Sequence, residues 1–246
     1  MLTVEQSCAT IRLNRPLLHN RLSSQDLACL NDLLAEAERD RALRSLVLTA
    51  SGRSFCSGFE IGALGEKGGD GRAFERLADR LERFRLPTIC ALNGSVYGGA
   101  TDLALACDFR VGVAGMTLLM PAARLGLHYY RGGLQRYVSR LGVSAAKRLF
   151  LLAEAVGTET LLRIGYLDEA VAPDALGPRV RELADLLAQR APVAVQGMKA
   201  ALNGIARGDA DLKAMDAASG ANSHSPELIE GRTAWLEKRP PCFADP

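Results

Sequence analysis

Apolar residues along this chain follow two rhythms. Residues 10–13 and 45–49 cluster apolar and β-branched side chains at strand length. Between them Leu27, Leu30, Leu34 and Ala37 recur three and four apart, the spacing of a single helix face. Ser23-Ser24-Gln25-Asp26 has the spacing of a capping box, which predicts a helix starting at Ser23. The result is a strand, helix, strand unit. A second unit repeats the grammar: a buried strand over 88–92, a Gly-rich turn over 93–99, a short apolar helix over 100–107 and a strand over 109–113. Strands alternating with helices predict a mostly parallel, buried sheet.

Between the units, 62–72 is rich in Gly and charge and reads as a surface loop, and 73–84 resumes a helical period. From Ser144 onward the pattern is helical, with segments over 145–152, 159–164, 178–191, 193–207 and 226–238 punctuated by Gly and Pro. These late helices carry several apolar faces, which suits either packing on a neighbouring subunit or burial within one chain. The expected division is a core over 1–190 and a C-terminal helical region over 191–246.

Composition narrows the class. The 246 residues are 48% hydrophobic and 24% charged, with net charge +2, ordinary values for a globular protein. Basic residues are scattered, so no nucleic-acid partner is expected. The longest apolar run, 111–123, lies between Arg110 and Arg124 and is too short to span a bilayer, which needs about 20 residues. The start of the chain has neither a signal-peptide nor a transit-peptide pattern, so a cytoplasmic location and no membrane partner are expected. Six cysteines without CxxC spacing read as reduced core thiols. His19, His128 and His224 lie far apart, and no His/Cys spacing suggests a metal.

Two glycine-bearing segments follow predicted strands: Arg53-Ser54-Phe55-Cys56-Ser57-Gly58-Phe59-Glu60-Ile61, and Asn93-Gly94-Ser95-Val96-Tyr97-Gly98-Gly99-Ala100-Thr101-Asp102 continuing to Cys107-Asp108. Glycine there lets backbone approach a ligand, and a helix opening near Ala100 aims unpaired N–H groups at negative charge. That is how an oxyanion hole is built. Either segment alone is equally a tight turn. The pair resembles the two oxyanion motifs of the enoyl-CoA hydratase/isomerase (crotonase) family. The likeness extends to Leu13-Asn14-Arg15-Pro16 with Asn20, to Gly132-Gly133 with Gln135-Arg136, and to Glu230-Gly231 with Glu237-Lys238-Arg239.

The resemblance implies an α/β fold with a β-β-α spiral core, a helical C-terminal region that forms a homotrimer or dimer of trimers, and an acyl-CoA thioester as substrate. It implies no separate cofactor, since coenzyme A enters as part of the substrate. It assigns the carbonyl-binding amides to Phe59 and Gly99, the adenine side of CoA to Ser57, Glu60 and Ile61, and a position near the CoA phosphates to Arg53. Trp235 and Lys238 match positions that reach a neighbour's CoA, or belong to an ordinary surface helix.

The chain also departs from the family. Family hydratases hold a water between two glutamates, and those positions are Asp102 and Ala122 here. Water addition needs an acid and a base on the same water, so this change should cost orders of magnitude in rate. Asp102 is then either the single working carboxylate or a helix-start acid. The segment Gly126-Leu127-His128-Tyr129-Tyr130-Arg131-Gly132-Gly133 replaces the small residues common in hydratases. Tyr129 matches a pocket tyrosine of the family's methylmalonyl-CoA decarboxylases, and Tyr130 stands where some isomerases and dehalogenases carry a carboxylate. His128 and the tyrosines are either proton donors or packing around the acyl group. The expected activity is hydratase/isomerase-like chemistry through an oxyanion-stabilised enolate. The alternatives are a decarboxylase of the same fold and a catalytically silent CoA-thioester binder.

Overall fold

The computed structural model describes residues 1–60, 72–221 and 225–244. Its strands are β1 Leu2–Glu5, β2 Cys8–Leu13, β3 Ser45–Ala50, β4 Ser54–Cys56, β5 Thr88–Leu92, β6 Ser95–Tyr97, β7 Phe109–Val113, β8 Thr117–Leu119, β9 Val156–Gly157 and β10 Glu169–Val171. Its helices are α1 Ser24–Arg39, α2 Ala73–Glu82, α3 Ala100–Ala106, α4 Arg131–Lys147, α5 Thr158–Arg163, α6 Leu176–Ala188, α7 Pro192–Arg207, α8 Leu212–Ala221 and α9 Pro226–Glu237. Among the described residues no helix is long and apolar enough to cross a membrane.

Six strands form the main sheet in the order β1-β2-β3-β5-β7-β10. Only β1 runs antiparallel, against β2; the remaining pairings are parallel. Every residue of β3 and β5 is buried, as expected for parallel strands covered on both faces, whereas the edge strand β1 is largely exposed. Helix α1 begins where the capping box predicts: the Ser23 hydroxyl accepts from the Asp26 amide (3.3 Å) and the Asp26 carboxylate from the Ser23 amide (2.8 Å). Its Leu27, Leu30, Leu34 and Ala37 are all buried.

The second sheet, β4-β6-β8-β9, is not legible in the sequence. Its strands are two or three residues long, too short to show a period. The stretch expected to be a plain turn, 93–99, contains β6, parallel to both β4 and β8. Helix α4 starts well before Ser144 and breaks at Gly142, whose backbone (φ 79°, ψ 157°) is not helical. Helix α8 likewise has no counterpart among the expected segments. Helix α7 docks on the core through buried Lys199, whose Nζ donates to the Leu86 carbonyl (2.6 Å) and pairs with Asp108 (2.7 Å). The cysteine reading needs correction for two of the six: Cys29 and Cys242 are exposed, whereas Cys8, Cys56, Cys90 and Cys107 are buried.

Candidate active site

Strands β4 and β6 are parallel neighbours, so the chain leaves both at the same end. Each exit has a glycine with positive φ, Gly58 (93°) and Gly98 (55°), where a side chain would be strained. The two exits touch. A methyl on Gly58 would lie 2.8 Å from the Tyr97 carbonyl oxygen and 3.4 Å from the Gly99 nitrogen. The first exit is pinned to the segment before α1: Leu22 donates its amide to the Gly58 carbonyl and accepts from the Glu60 amide, both at 2.9 Å. That short ladder leaves out the Phe59 amide. Buried Asn20 braces the loop from behind, donating to the Ser51 and Ser54 carbonyls at 2.9 Å. On the second exit Gly98 donates to the Leu119 carbonyl (2.9 Å), while Gly99 caps α3 and its carbonyl accepts from Asp102 and Leu103. Among the described residues neither the Phe59 nor the Gly99 amide has an acceptor. Two backbone donors without an acceptor therefore sit on the two touching exits.

Aromatic rings wall this place. The tip of the Phe74 ring lies against Gly99, 2.7 Å from where a β-carbon would stand. Phe74 meets Phe59 edge-on (6.2 Å between centroids) and tilts against Tyr130 (6.5 Å). Tyr130 stacks on Tyr129 at 4.3 Å, and Tyr129 packs on Phe150 at 5.1 Å. Tyr129, Tyr130 and His128 also line a solvent-open cleft of about 720 Å³.

Asp102, on the first turn of α3, is fully buried. Arg136 of α4 grips both its oxygens, Nε to Oδ1 at 3.0 Å and Nη2 to Oδ2 at 2.9 Å. The Tyr130 hydroxyl donates to Oδ2 at 2.5 Å and accepts from the Tyr129 hydroxyl at 3.1 Å. Arg136 also pairs with Glu82 (3.0 Å) and Asp79 (3.1 Å), so the guanidinium is enclosed by three carboxylates. Burial alone would lower its pKa; Asp102 and Glu82 reverse the effect and hold it raised. For the Tyr129 and Tyr130 phenols, burial first and the Asp102 charge second raise both pKa values well above the ordinary range. Both stay protonated.

The other expected site residues separate. Ala122 puts a buried methyl in a 3-10 turn at the second glutamate position. His128 is exposed, and its Nδ1 donates to the Tyr129 carbonyl (2.9 Å); it is Tyr130, not His128, that reaches Asp102. Arg53 is exposed, with Nη2 3.0 Å from the Nε2 of His19. Since arginine can only donate, that nitrogen accepts and the His19 Nδ1–H donates to the Ser54 hydroxyl (3.0 Å). Ser57 is half-buried beside Gly58, and half-exposed Glu60 pairs with Arg21 at 3.1 Å. Lys238 ends α9 in an exposed left-handed conformation. Ile61, most of the expected loop over 62–72 and His224 lie outside the described residues. Among the described residues no cluster of His, Cys, Asp and Glu could hold a metal ion. Sequence reasoning misses Phe74 and the grip of Arg136. Arg136 shows there only as part of a motif, and nothing in the helical period of 73–84 marks a phenylalanine that meets Gly99.

Residues 3–246 match the family model described as enoyl-CoA hydratase/isomerase. The chain is 32% identical over 247 residues to a short-chain-enoyl-CoA hydratase of Clostridium acetobutylicum, covering 97% of this chain and 95% of the relative. It is 32% identical over 255 residues to a crotonyl-CoA hydratase of Syntrophomonas wolfei, covering 99% and 96%. Among solved structures, an enoyl-CoA hydratase from Bacillus anthracis superposes with a TM-score of 0.89 at 27% identity, covering 100% of this chain and 99% of that one.

Proposed function

The chain belongs to the enoyl-CoA hydratase/isomerase family, and from that premise we propose that it rearranges an acyl-CoA thioester through an enolate, with one tyrosine–aspartate pair moving the proton. The observation that carries this reading is Tyr130, which bridges the aromatic wall beside Gly99 and the buried Asp102. The thioester oxygen accepts from the Phe59 and Gly99 amides, which stabilise the charge that builds as a carbon proton leaves. As Tyr130 takes that proton it passes its own to Asp102, and the reverse hop returns a proton to a different carbon. The phenol stays neutral throughout, in keeping with the raised pKa that burial and Asp102 impose. Arg136 fixes the carboxylate and is a positioning residue.

This machinery suits double-bond migration, which needs a single shuttling group. It does not suit water addition by two carboxylates, because position 122 offers only a methyl. In a site of this kind Arg53, Ser57, Glu60 and Ile61 would border the CoA moiety. We also propose a homotrimer or dimer of trimers, supported by large apolar side chains exposed on α7 (Val193, Met198, Leu202, Ile205) and α9 (Ile229, Trp235, Leu236).

The test is a panel of 2-enoyl-, 3-enoyl-, malonyl- and methylmalonyl-CoA esters in deuterated water. Migration of the 3-enoyl double bond with deuterium entering the chain is expected, and it should fall at least tenfold in Tyr130→Phe. Hydration without migration, or CO₂ release alone, would replace this reading with a lyase; binding without turnover would favour the silent binder.

A further inference from the structure

We propose that Phe74 sets the length of the acyl group this site accepts, an inference that rests on the thioester reading above. The three outermost ring atoms of Phe74 lie 2.7, 2.9 and 3.2 Å from the place a Gly99 β-carbon would take. We take an acyl chain whose carbonyl oxygen meets the Gly99 amide to run past the edge of this ring.

The ring has little room to retreat. Helix α2, which carries it, is anchored through buried Leu77, Ala78 and Leu81. On one side stands Phe59 and on the other Tyr130. Behind Tyr130 the space is filled by buried Tyr129, Phe150 and Tyr137, with Tyr137 meeting Phe150 at 4.7 Å. Tyr129 and Tyr130 also occupy the volume beside Gly133, where an added β-carbon would fall 2.3 and 2.9 Å from their rings. The wall is continuous from Phe59 to Tyr137. On this assignment a short acyl group stops at Phe59, Phe74 and Tyr130, whereas a medium-length chain needs the volume of a phenyl ring, which Phe74→Ala supplies.

The experiment is isothermal titration of wild type, Phe74→Leu and Phe74→Ala with free CoA and with acetyl-, butyryl- and octanoyl-CoA, saturated esters that bind without rearranging. Each methylene newly buried should tighten binding about fourfold. Wild type is expected to bind octanoyl-CoA no tighter than butyryl-CoA. In Phe74→Ala the preference should reverse by tenfold or more, with Phe74→Leu between; Phe74→Leu carries the comparison if the alanine variant fails to fold. Wild-type affinity that climbs with each methylene out to octanoyl, or variants with the wild-type profile, would overturn the assignment. Failure of folded wild type to bind CoA or any ester would overturn the thioester site and Phe74's role together, a result separable from binding that ignores chain length.

Discussion

Asp102→Asn separates a structural anchor from a proton carrier: the Arg136 contacts make Asp102 the first, and the proposed reaction makes it the second. Asn keeps the size of Asp but carries one acceptor and one NH₂. Its oxygen can keep either the Arg136 Nε–H alone or the Nη2–H together with the Tyr130 hydroxyl; in both orientations its NH₂ faces an Arg136 N–H, donor against donor. Arg136 is 2% exposed and keeps Glu82 and Asp79, so it is not stripped of partners. Removing one member of a buried pair typically costs about 3–5 kcal/mol, and the remaining carboxylates place this case near the low end, about 3 kcal/mol. For a chain of this size each kcal/mol lowers Tm by roughly 2–4 °C, so thermal unfolding should show a drop of about 6–12 °C at fixed protein concentration. Tyr130→Phe deletes the hydrogen bond to Asp102, at about 1.5–3 kcal/mol, together with the one accepted from Tyr129, and the double variant should lose less than the sum because both changes break the bond between Tyr130 and Asp102. Turnover should fall in both single variants. If Asp102→Asn melts within about 2 °C of wild type, Asp102 does not hold Arg136 and the positioning argument fails.

Gly58→Ala places a β-carbon 2.8 Å from the Tyr97 carbonyl at φ 93°, so the loops must separate and turnover should fall by about 10²-fold or more; Gly99→Ala sits at an ordinary helical φ of −57° and meets a side chain rather than backbone, so it should cost less, with circular dichroism confirming that both fold. Burial raises the Cys56 thiol to about 12 from its ordinary 9.0, so a thiol reagent at pH 8 should label Cys29 and Cys242 in the native protein and all six cysteines after denaturation. The same shift sets a sign: above pH 9 the unfolded chain releases the Cys56 proton that the folded chain keeps, so this residue's contribution to stability declines as pH rises from 9 to 12. Light scattering at micromolar concentration should give the mass of a trimer or hexamer, and a monodisperse monomer would refute the assembly.

The sequence announced most of its long elements, α4 and α8 excepted, and its two glycine motifs. Strands β3 and β5 are apolar runs bounded by turns, and the Ser23 capping box fixes the start of α1, so local chemistry suffices for them. The second sheet escaped because its strands owe their conformation to their neighbours: β4, β6 and β8 exist only as a set. The same division runs through the site. Gly58 and Gly98 need glycine for a local reason, positive φ, and local reasons show in a sequence. Arg136 is different. A buried arginine looks like any surface arginine until the groups that balance it are placed, and here they come from two other helices: Asp79 and Glu82 on α2 and Asp102 on α3, while Arg136 stands on α4.

One trace of that cluster is visible in the sequence. Asp79 and Glu82 stand three apart on α2, so they share a face, and α2 packs against α3. Two acids on the inward side of an amphipathic helix break the pattern that buries it, and a break of that kind requires a buried cation. The cation shared by both is Arg136, with Arg140 and Arg207 also on Glu82, and holding Arg136 makes Asp102 rigid. A rigid Asp102 fixes the Tyr130 hydroxyl, and the fixed tyrosine limits how far Phe74 can move from Gly99. If this chain of contacts holds, loosening its buried end should reach the acyl pocket: Glu82→Gln, which touches neither tyrosine nor phenylalanine, should broaden the acyl-length preference measured with the saturated CoA esters. An unchanged preference in a folded Glu82→Gln protein would show that Phe74 is held by α2 alone.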